Sequence, residues 1–448
     1  MVVWRGRMDR DADGWRDDLN AWLEPFLTGL GDRRRRRMCP LYVAGLIGPG
    51  DRKSIQPMAA REEAAGYDQL HHFVAAGLWD SAPLEAALLA EADRLVGGDD
   101  AYLIIDDTAL PKKGKHSVGV APQYATSLGK NANCQTLVST TLAQGEVPVM
   151  IGLKLFLPES WTINPARLAR ARVPVDQQAA RTKLQIALEE IDRVRAAGVR
   201  FGCVLADAGY GVSAPFRQAL SERGLSWAVG VGGRQKVYPA DVALIFPISG
   251  HGRPRQHHIP DVRSLSAEKT LAQASWRTVG WRRGTKGMLK ARFAAVRIRV
   301  ADGTPQRIGD MGQQHMPGEE AWLIGEHRST GERKYYLSNL AADASLKALA
   351  AAVKARWACE QAHQQLKEEL GLDHFEGRSW IGLHRHALMA MIAYAFLQSR
   401  RLTQAGRKKK SLGPTASTEP ARDPTGHLGP LVQTLPASMS TMQSAHHT

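Results

Sequence analysis

The sequence has few cysteines, and none is arranged for a disulfide framework or a zinc finger. Four occur in 448 residues, with no Cys-x-x-Cys pair and no cysteine and histidine cluster at zinc spacing: Cys39, Cys134, Cys203 and Cys359. Scattered cysteines of this kind fit a reducing compartment, and they argue against a disulfide scaffold and against a structural zinc module.

The sequence also lacks a secretion signal and a stretch long enough to span a membrane. The N-terminus has no apolar core of the kind that signal peptides contain. The longest apolar stretch, Ala387 to Leu397, is too short to cross a bilayer and is typical of a buried helix. We therefore expect a cytoplasmic protein with no membrane partner.

A nucleotide-binding loop is absent as well, whereas positive charge is abundant. No Gly-x4-Gly-Lys-Ser/Thr segment occurs, so chemistry that uses ATP held in such a loop is not expected. Lys and Arg number 59 against 44 Asp and Glu, which gives a net charge of +15 and a pI near 9.8. This excess favours a polyanionic partner such as nucleic acid, although a ribosome-associated or merely basic protein has the same composition.

The pattern along the chain predicts a helical N-terminal region followed by an α/β fold. Alternating strands and helices from residue 96 predict a mixed sheet, and residues 235–340 predict a β-rich insertion within it. The predicted divisions are residues 1–95 for the helical domain, 96–234 and 341–402 for the α/β core, 235–340 for the insertion and 403–448 for a disordered tail. The run Arg33–Arg37 is either a solvated surface segment or a segment that binds the phosphates of nucleic acid.

Two aspartates follow apolar strands. Asp106 follows Ala101–Ile105, and Asp207 follows Phe201–Ala206. Ligands collect at the carboxyl ends of strands in open α/β sheets, and carboxylate oxygens suit Mg²⁺. Each aspartate taken alone could instead cap the next helix.

A predicted helix over 345–370, stopped by Gly371, contributes a third acidic residue. Arg356, Glu360 and Lys367 are spaced by four and seven residues, so they share one helical face. A salt-bridged surface has the same spacing, but apolar neighbours favour a helix packed on the sheet, where these cations would hold phosphates beside the carboxylate.

At these residues the chain resembles insertion-sequence transposases of the DDE superfamily, whose catalytic domain is RNase H-like. The subgroup that it resembles has a Tyr-x2-Arg-x3-Glu-x6-Lys signature, which Arg356, Glu360 and Lys367 match, while Val353 stands at the tyrosine position. Similar segments include IDDTALPKKGKHSVGVAPQY, LGKNANCQ, LADAGYG and GLDHFEGRSWIGLHRH, so the resemblance covers roughly residues 40 to 400.

The resemblance implies a catalytic and metal-binding triad and a β-rich insertion before the last catalytic helix. The triad is Asp106, Asp207 and Glu360, holding two Mg²⁺ ions for which Mn²⁺ is a possible substitute. Asp106 and Asp107 point to opposite faces of a strand; the resemblance favours Asp106 and leaves Asp107 as the alternative.

The implied reaction is Mg²⁺-dependent cleavage of DNA at transposon ends followed by strand transfer. The partners would be the inverted-repeat ends and target DNA, bound by a homo-oligomer in the bacterial cytoplasm near the nucleoid, with residues 1–95 recognising the ends. The candidate DNA contacts are Arg356, Lys367, Lys112, Lys113, Lys115 and Lys130. The last four lie in one loop, for which the alternative interpretation is a solvated lysine-rich segment without a role in DNA binding. Two alternatives stay open: a metal-dependent nuclease of the same fold, and an inactive or domesticated transposase that only binds DNA.

Overall fold

The computed structural model describes residues 14–61, 64–125, 128–246, 257–284, 287–308 and 312–411, and for 406–411 it describes the backbone alone. In this part of the chain the helices are α1 Gly14–Leu27, α2 Arg33–Ile47, α3 Ile55–Arg61, α4 Tyr67–His71, α5 Ala82–Val96, α6 Glu159–Thr162, α7 Pro165–Arg170, α8 Lys183–Ala196, α9 Ala208–Gly211, α10 Ala214–Glu222, α11 Ala267–Ala272, α12 Leu346–Ala355, α13 Trp357–Glu368 and α14 Trp380–Ser411.

The strands that lie between these helices form two sheets. They are β1 Gly98–Pro111, β2 Ala121–Ala125, β3 Lys130–Gln144, β4 Val147–Phe156, β5 Phe201–Ala206, β6 Trp227–Val231, β7 Lys236–Pro239, β8 Leu244–Ile245, β9 Ile259–Pro260, β10 Leu265–Ser266, β11 Arg277–Gly284, β12 Gly287–Arg307, β13 Gln313–His327 and β14 Arg333–Ser338. Twelve of them make one large sheet, and β8 pairs only with β9.

The large sheet has the strand order β10-β7-β12-β13-β14-β6-β5-β1-β3-β2, with β11 paired to β12 and β4 paired to β3. β1 runs parallel to β5, and β5 runs parallel to β6, while the other described pairs are antiparallel. The fold is therefore a mixed α/β structure, as predicted, in which a pair of parallel contacts lies at the centre of an antiparallel sheet.

The predicted β-rich insertion is present as strands, but these strands extend the main sheet. β14 pairs with β6 along Tyr335–Ser338, and β13, β12 and β7 follow in turn. The sequence pattern of apolar alternation predicts the strands correctly, but it does not reveal which free edge they join, because pairing partners are set by contacts remote in sequence.

The two faces of β1 belong to different parts of the core, as the period of two along a strand requires. Leu103 and Ile105 lie in a large cluster with α8, α14 and the N-terminal helices. Ile104 lies in a second cluster with Leu349 of α12 and Cys359 of α13. The sheet is thus covered on both sides, with α12 and α13 on one face and α8 and α14 on the other.

The N-terminal helices pack on α14 and share its core. Helix α1 buries Trp15, Leu19, Leu23 and Phe26, an apolar stripe at helical spacing. Trp22 lies against Phe396 of α14 with ring centroids 5.6 Å apart. Because α14 is apolar around most of its circumference from Ala387 to Phe396, it needs such a layer on the side away from the sheet.

Three predicted boundaries differ in the structure. Strand β1 continues to Pro111 instead of ending at the aspartates, because it pairs with the long strand β3 as far as Cys134. The predicted helix over 345–370 is divided at Arg356. Helix α14 continues to Ser411 and so includes the first residues of the predicted tail 403–448, the rest of which lies outside the described residues.

Other local features follow the sequence. Arg33–Arg37 is the first turn and a half of α2, capped by Asp32, whose carboxylate accepts from the backbone N–H groups of Arg34 and Arg35. Gly371 has a φ of 63°, a left-handed conformation that glycine adopts at low cost, just after α13 ends. Among the described helices, none is both long and apolar enough to cross a membrane.

Candidate active site

The register of two parallel strands brings Asp106 and Asp207 together. Ile105 of β1 is paired with Ala206 of β5, so the following residue on each strand begins at the same level of the sheet. Asp207 is also the N-cap of α9, because its Oδ1 accepts from the backbone N–H of Tyr210 at 3.3 Å. The capping role and the position beside Asp106 coexist in one side chain.

Asp106 is held by contacts from α13 and from its own strand. Arg356 donates from Nη1 to Asp106 Oδ2 at 2.6 Å, and Cys359 Sγ lies 3.1 Å from the same oxygen. The backbone N–H of Asp107 donates to Asp106 Oδ1 at 2.8 Å. With 13% of its side chain exposed, Asp106 is a nearly buried carboxylate with one cationic partner.

Burial dominates the electrostatics of the two aspartates. Burial raises the pKa of Asp106, and the Arg356 guanidinium only partly offsets it. Burial also raises the pKa of Asp207, and the nearby charge of Asp106 adds to the shift. Two carboxylates placed this way are costly to keep ionised unless a cation lies between them.

Glu360 joins the pair through Arg356. The same guanidinium that contacts Asp106 donates from Nη2 to Glu360 Oε1 at 2.5 Å, across one helical turn of α13. Burial opposes the charge of Arg356, but Asp106, Glu360 and Asp207 together raise its pKa. Because the Glu360 side chain is 58% exposed, it lies at the open rim of the cluster.

Asp107 is oriented away from this cluster and has partners of its own. Lys183 Nζ of α8 donates to Asp107 Oδ2 at 2.5 Å, and the Tyr210 hydroxyl donates to Oδ1 at 2.5 Å. Burial and the Asp107 charge raise the pKa of Tyr210 well above its ordinary value, so this hydroxyl remains a donor. The two neighbouring aspartates therefore face different elements.

Two of the candidate DNA-contacting lysines have structural partners away from the aspartates. Lys112 Nζ donates to the carbonyl oxygens of Asp373 and Phe375, at 3.0 and 2.8 Å. Lys367 is half-buried, and burial lowers its pKa while Asp373 opposes the shift. Both lysines are thus coupled to Asp373.

The other candidate lysines are exposed. Lys113 and Lys115 lie in the segment after β1, and Lys130 begins β3. A cavity of about 370 Å³ is lined by Lys112 and Lys113 together with further basic side chains. These include Arg52, His116 and Arg378. Val353, at the tyrosine position of the signature, is buried against the sheet.

Five residues at this site were not predicted from the sequence. Lys183 and Tyr210 fix Asp107, Cys359 contacts Asp106, and His363 Nε2 lies 2.8 Å from Ser139 Oγ. Tyr210 lies within a segment already singled out, LADAGYG, and Cys359 precedes Glu360. Lys183 and Ser139 have no sequence signal, because contacts from remote elements place them here.

The residues present suit a hard divalent cation. Asp106 and Asp207 offer carboxylate oxygens at adjacent positions of β1 and β5, and burial, to which the Asp106 charge adds at Asp207, raises the pKa of both, a cost that a bound cation would relieve. Glu360 offers a further carboxylate on the exposed side. In the described part of the chain it is linked to Asp106 through Arg356, and the three carboxylates do not all lie within 4.8 Å of one another. Oxygen donors from a few carboxylates, completed by water and phosphate, are the ligand set that Mg²⁺ prefers.

Comparison with known families gives a match over more than half of the chain. Residues 25–288 match the family of DDE superfamily endonucleases. The matched range contains Asp106 and Asp207 and ends before Glu360. DDE endonucleases use divalent metal ions, in keeping with the donor set described above.

One curated relative and one solved structure are also similar. The chain is 30% identical over 188 residues to the probable transposase of insertion sequence element IS701 from Microchaete diplosiphon, and the match covers 42% of this chain and 46% of that protein. The chain thus spans about half the length of the relative. The piggyBac transposase in a synaptic complex with hairpin DNA matches 83% of this chain and 66% of its own, at 11% identity and a TM-score of 0.37. A score this low adds nothing to the assignment.

Proposed function

Because the chain belongs to the family of DDE superfamily endonucleases, we propose that it is an insertion-sequence transposase. It cleaves DNA at the ends of its element and joins the freed ends to target DNA. One observation supports this most directly: Asp106 and Asp207 follow paired residues of two parallel strands, and Arg356 links Asp106 to Glu360.

The catalytic domain that we propose is RNase H-like. Its support is the central strand order β4-β3-β1-β5-β6, in which β3 is antiparallel to both its neighbours and β5 and β6 are parallel to β1. Asp207 lies at the carboxyl end of β5, where an open α/β sheet places its ligands, and Asp106 lies inside β1, one residue past the last pair that β1 makes with β5. Residues 235–340 are then an insertion between the second and third acidic residues, added to the free edge of β6.

Asp106, Asp207 and Glu360 would hold two Mg²⁺ ions, with Mn²⁺ as a possible substitute. When bound, such ions supply an activated water or 3′ hydroxyl and a stabilised leaving oxygen for phosphodiester cleavage and transfer. Asp107 is less suited to the same role, because its carboxylate is directed to Lys183 of α8 and Tyr210 of α9, away from Arg356 and Glu360.

The chain's own residues prepare this site for a phosphodiester. Arg356 fixes the Asp106 carboxylate and orients Glu360, and its guanidinium stays charged beside the position of a scissile phosphate. The neutral Tyr210 hydroxyl and Lys183 hold Asp107 and so fix the strand on its other side. These contacts place the acidic groups before DNA arrives, which is where positioning contributes to rate.

DNA is the partner that we propose, and its phosphates would be bound by basic side chains around the site. The net charge of +15 supports a strong electrostatic contribution. Lys113, Lys115 and Lys130 are exposed and available, whereas Lys112 and Lys367 would act mainly by shaping the segment at Asp373. Arg33 and Arg34 are exposed at the start of α2 and would contact the element's ends.

The assembly would be a homo-oligomer near the nucleoid, because joining two ends to one target requires two ends to be held at once. Since the N-terminal helices share a core with α14, removing them would disturb the fold. The role of α2 is therefore tested by Arg33→Gln with Arg34→Gln. We expect weaker binding of element ends and an unchanged melting temperature.

The proposed function is tested by incubating the purified full-length protein with a plasmid that contains the DNA flanking its gene. We expect Mg²⁺-dependent cuts at the element's ends and joined products. Cuts without joining would indicate a nuclease, and specific binding with neither product would indicate a DNA-binding protein. Either result would overturn the proposal, provided that EDTA-treated and Mn²⁺-supplied samples are compared in the same assay.

A further inference from the structure

A sulfur, a ring nitrogen and a carboxylate oxygen converge beside the acidic cluster. Ligand atoms of Asp106, Cys359 and His363 all lie within 4.8 Å of one another. This trio differs from the proposed magnesium ligands, because it shares Asp106 with them but replaces the other carboxylates by softer donors. In the part of the chain that the structure describes, this is the group of three histidine, cysteine or acidic side chains whose ligand atoms lie close enough together to hold one metal ion.

The fold places these donors without strain. Cys359 and His363 are four residues apart on α13, so they face the sheet together, and both are buried. Asp106 faces them from β1, with its Oδ2 3.1 Å from Cys359 Sγ. The His363 ring is held by Ser139 of β3, whose Oγ lies 2.8 Å from Nε2.

We propose that Asp106, Cys359 and His363 form a site for a borderline-soft divalent cation, of which Zn²⁺ is the prime example. A thiolate, an imidazole and a carboxylate are the donors that Zn²⁺ takes in proteins, whereas Mg²⁺ avoids sulfur. Three protein ligands leave a fourth, tetrahedral position for water.

When a divalent cation binds at this site, the Cys359 proton is released and the contact between Arg356 and Asp106 is displaced. The Cys359 thiol loses its proton to solvent as its sulfur coordinates, so the metal's charge replaces that proton. Arg356 competes, because its guanidinium already contacts Asp106 Oδ2 at 2.6 Å. The site therefore selects cations that gain enough from a sulfur ligand to displace this contact.

The consequence for catalysis depends on the proposed function. If Asp106 holds Mg²⁺ during DNA cleavage, a zinc ion on the same carboxylate excludes the catalytic arrangement. Zinc then acts as a competitive inhibitor with respect to Mg²⁺, and the rate of cleavage falls as the concentration of free Zn²⁺ rises. The binding site itself does not depend on this consequence and is tested separately.

The direct test uses Co²⁺ as a spectroscopic substitute for Zn²⁺ in the EDTA-treated full-length protein. We expect one equivalent of Co²⁺ to give a sulfur-to-cobalt charge-transfer band and tetrahedral visible bands, both removed by added Zn²⁺. Cys359→Ala should abolish the charge-transfer band and weaken binding more than about 100-fold, because even the loss of a residue behind a ligand costs about 10- to 100-fold. His363→Gln should keep the band and weaken binding.

The matched control is Cys203→Ala, since Cys203 is another buried free cysteine on the same face of the sheet. We expect it to keep the cobalt spectrum, and melting temperatures would show that each variant folds. A cobalt complex without a charge-transfer band, or a band that survives in folded Cys359→Ala, would overturn the proposal.

A second measurement separates the two proposals. In cleavage assays, the zinc concentration that halves each protein's own Mg²⁺-supported rate should rise at least about tenfold in Cys359→Ala. If no protein cleaves DNA, the proposed function fails while the cobalt spectrum still decides the zinc site. If cleavage is normal and the spectrum lacks the thiolate band, the zinc site alone fails.

Discussion

Two neighbouring aspartates on β1 have opposite surroundings. On one face of the sheet, Asp106 has a guanidinium, a thiol and a second aspartate around it, and burial raises its pKa. On the other face, Asp107 is neutralised by Lys183 and by the Tyr210 hydroxyl. The first carboxylate is poorly compensated and the second is well compensated.

This difference implies that Asp106 serves the activity of the protein, whereas Asp107 on the same strand serves its stability. A buried carboxylate whose pKa stays raised despite a cationic partner costs free energy of folding, and such a group is typical of a site that binds a cation. A carboxylate with two short contacts to folded elements contributes to stability. We therefore expect changes on the Asp106 face to reduce activity, and changes on the Asp107 face to reduce the free energy of unfolding.

The largest expected effect comes from Asp106→Asn compared with Asp107→Asn. Asp106→Asn should lower Mg²⁺-dependent cleavage by at least about 1000-fold, since a bound metal ion supplies several kcal/mol of transition-state stabilisation. It should leave the melting temperature of the metal-free protein unchanged or higher. Asp107→Asn should keep cleavage within about tenfold and lower the melting temperature. The reverse pattern in cleavage and thermal unfolding assays would assign the metal to Asp107.

The next effect concerns Glu360, the exposed acidic residue beyond Arg356. Glu360→Ala should reduce cleavage at least about 100-fold, while DNA binding is kept or strengthened because one negative charge near the phosphates is lost. Glu368→Ala is the matched control, since Glu368 is exposed at the end of the same helix. Near-normal cleavage by Glu360→Ala, together with loss of cleavage in the control, would mean that the third ligand is misassigned.

Part of the acid sensitivity should arise on the Asp107 face, where α14 places a half-buried histidine against β4. His384 Nδ1 lies 2.9 Å from the carbonyl oxygen of Trp380, and its Nε2 accepts from the Leu155 backbone N–H. Burial lowers the pKa of His384 to about 4. The unfolded chain therefore binds more protons between about pH 6.5 and 4, and stability that is present above pH 6.5 is lost as the pH falls through this window.

His384 should contribute on the order of 2 kcal/mol to the stability lost between pH 8 and pH 5, measured by urea unfolding. His384→Gln should reduce the loss by about this amount and leave the contributions of His363 and His386, while the same change at the exposed His71 should not alter it. An unchanged pH slope in His384→Gln would show that the histidine does not contribute to acid sensitivity.

The smallest effect is expected from Tyr210→Phe. This change removes the hydrogen bond that the Tyr210 hydroxyl donates to Asp107 and keeps the aromatic ring. The free energy of unfolding should therefore fall by about 1–2 kcal/mol. Cleavage at 25 °C should stay within about threefold. A loss of activity comparable to that of Asp106→Asn, in a folded protein, would place Tyr210 among the residues that act on DNA.

The sequence was sufficient to predict the local elements that contain the three acidic residues, whereas their catalytic role stays a prediction. Apolar runs that end in aspartate predicted β1 and β5. The four-residue spacing predicted that Arg356 and Glu360 share a helical face, and the contact between them is the salt bridge that the sequence offered as the alternative to a phosphate-binding role. These features depend on local periodicity. The division of the helix at Arg356 has no such signal, because residues on both sides favour helix.

The sequence patterns did not predict contacts between segments that are distant in the sequence. Nothing in the pattern around Lys183 indicates that its ammonium group lies 2.5 Å from Asp107, since α8 reaches β1 only through the packing of the sheet. The same holds for β14, which joins β6 and makes the insertion part of the main sheet. Sequence patterns show which face of an element is buried, and tertiary structure decides its neighbour.

The central claim, that Asp106 and not Asp107 belongs to the metal centre, is tested most directly by counting bound Mn²⁺. The measurement is a titration of the EDTA-treated full-length protein, followed by the electron paramagnetic resonance signal of free Mn²⁺. We expect weakened or lost Mn²⁺ binding in Asp106→Asn and in Asp207→Asn, and wild-type binding in Asp107→Asn. Wild-type Mn²⁺ binding in folded Asp106→Asn, with loss of binding in Asp107→Asn, would contradict the claim.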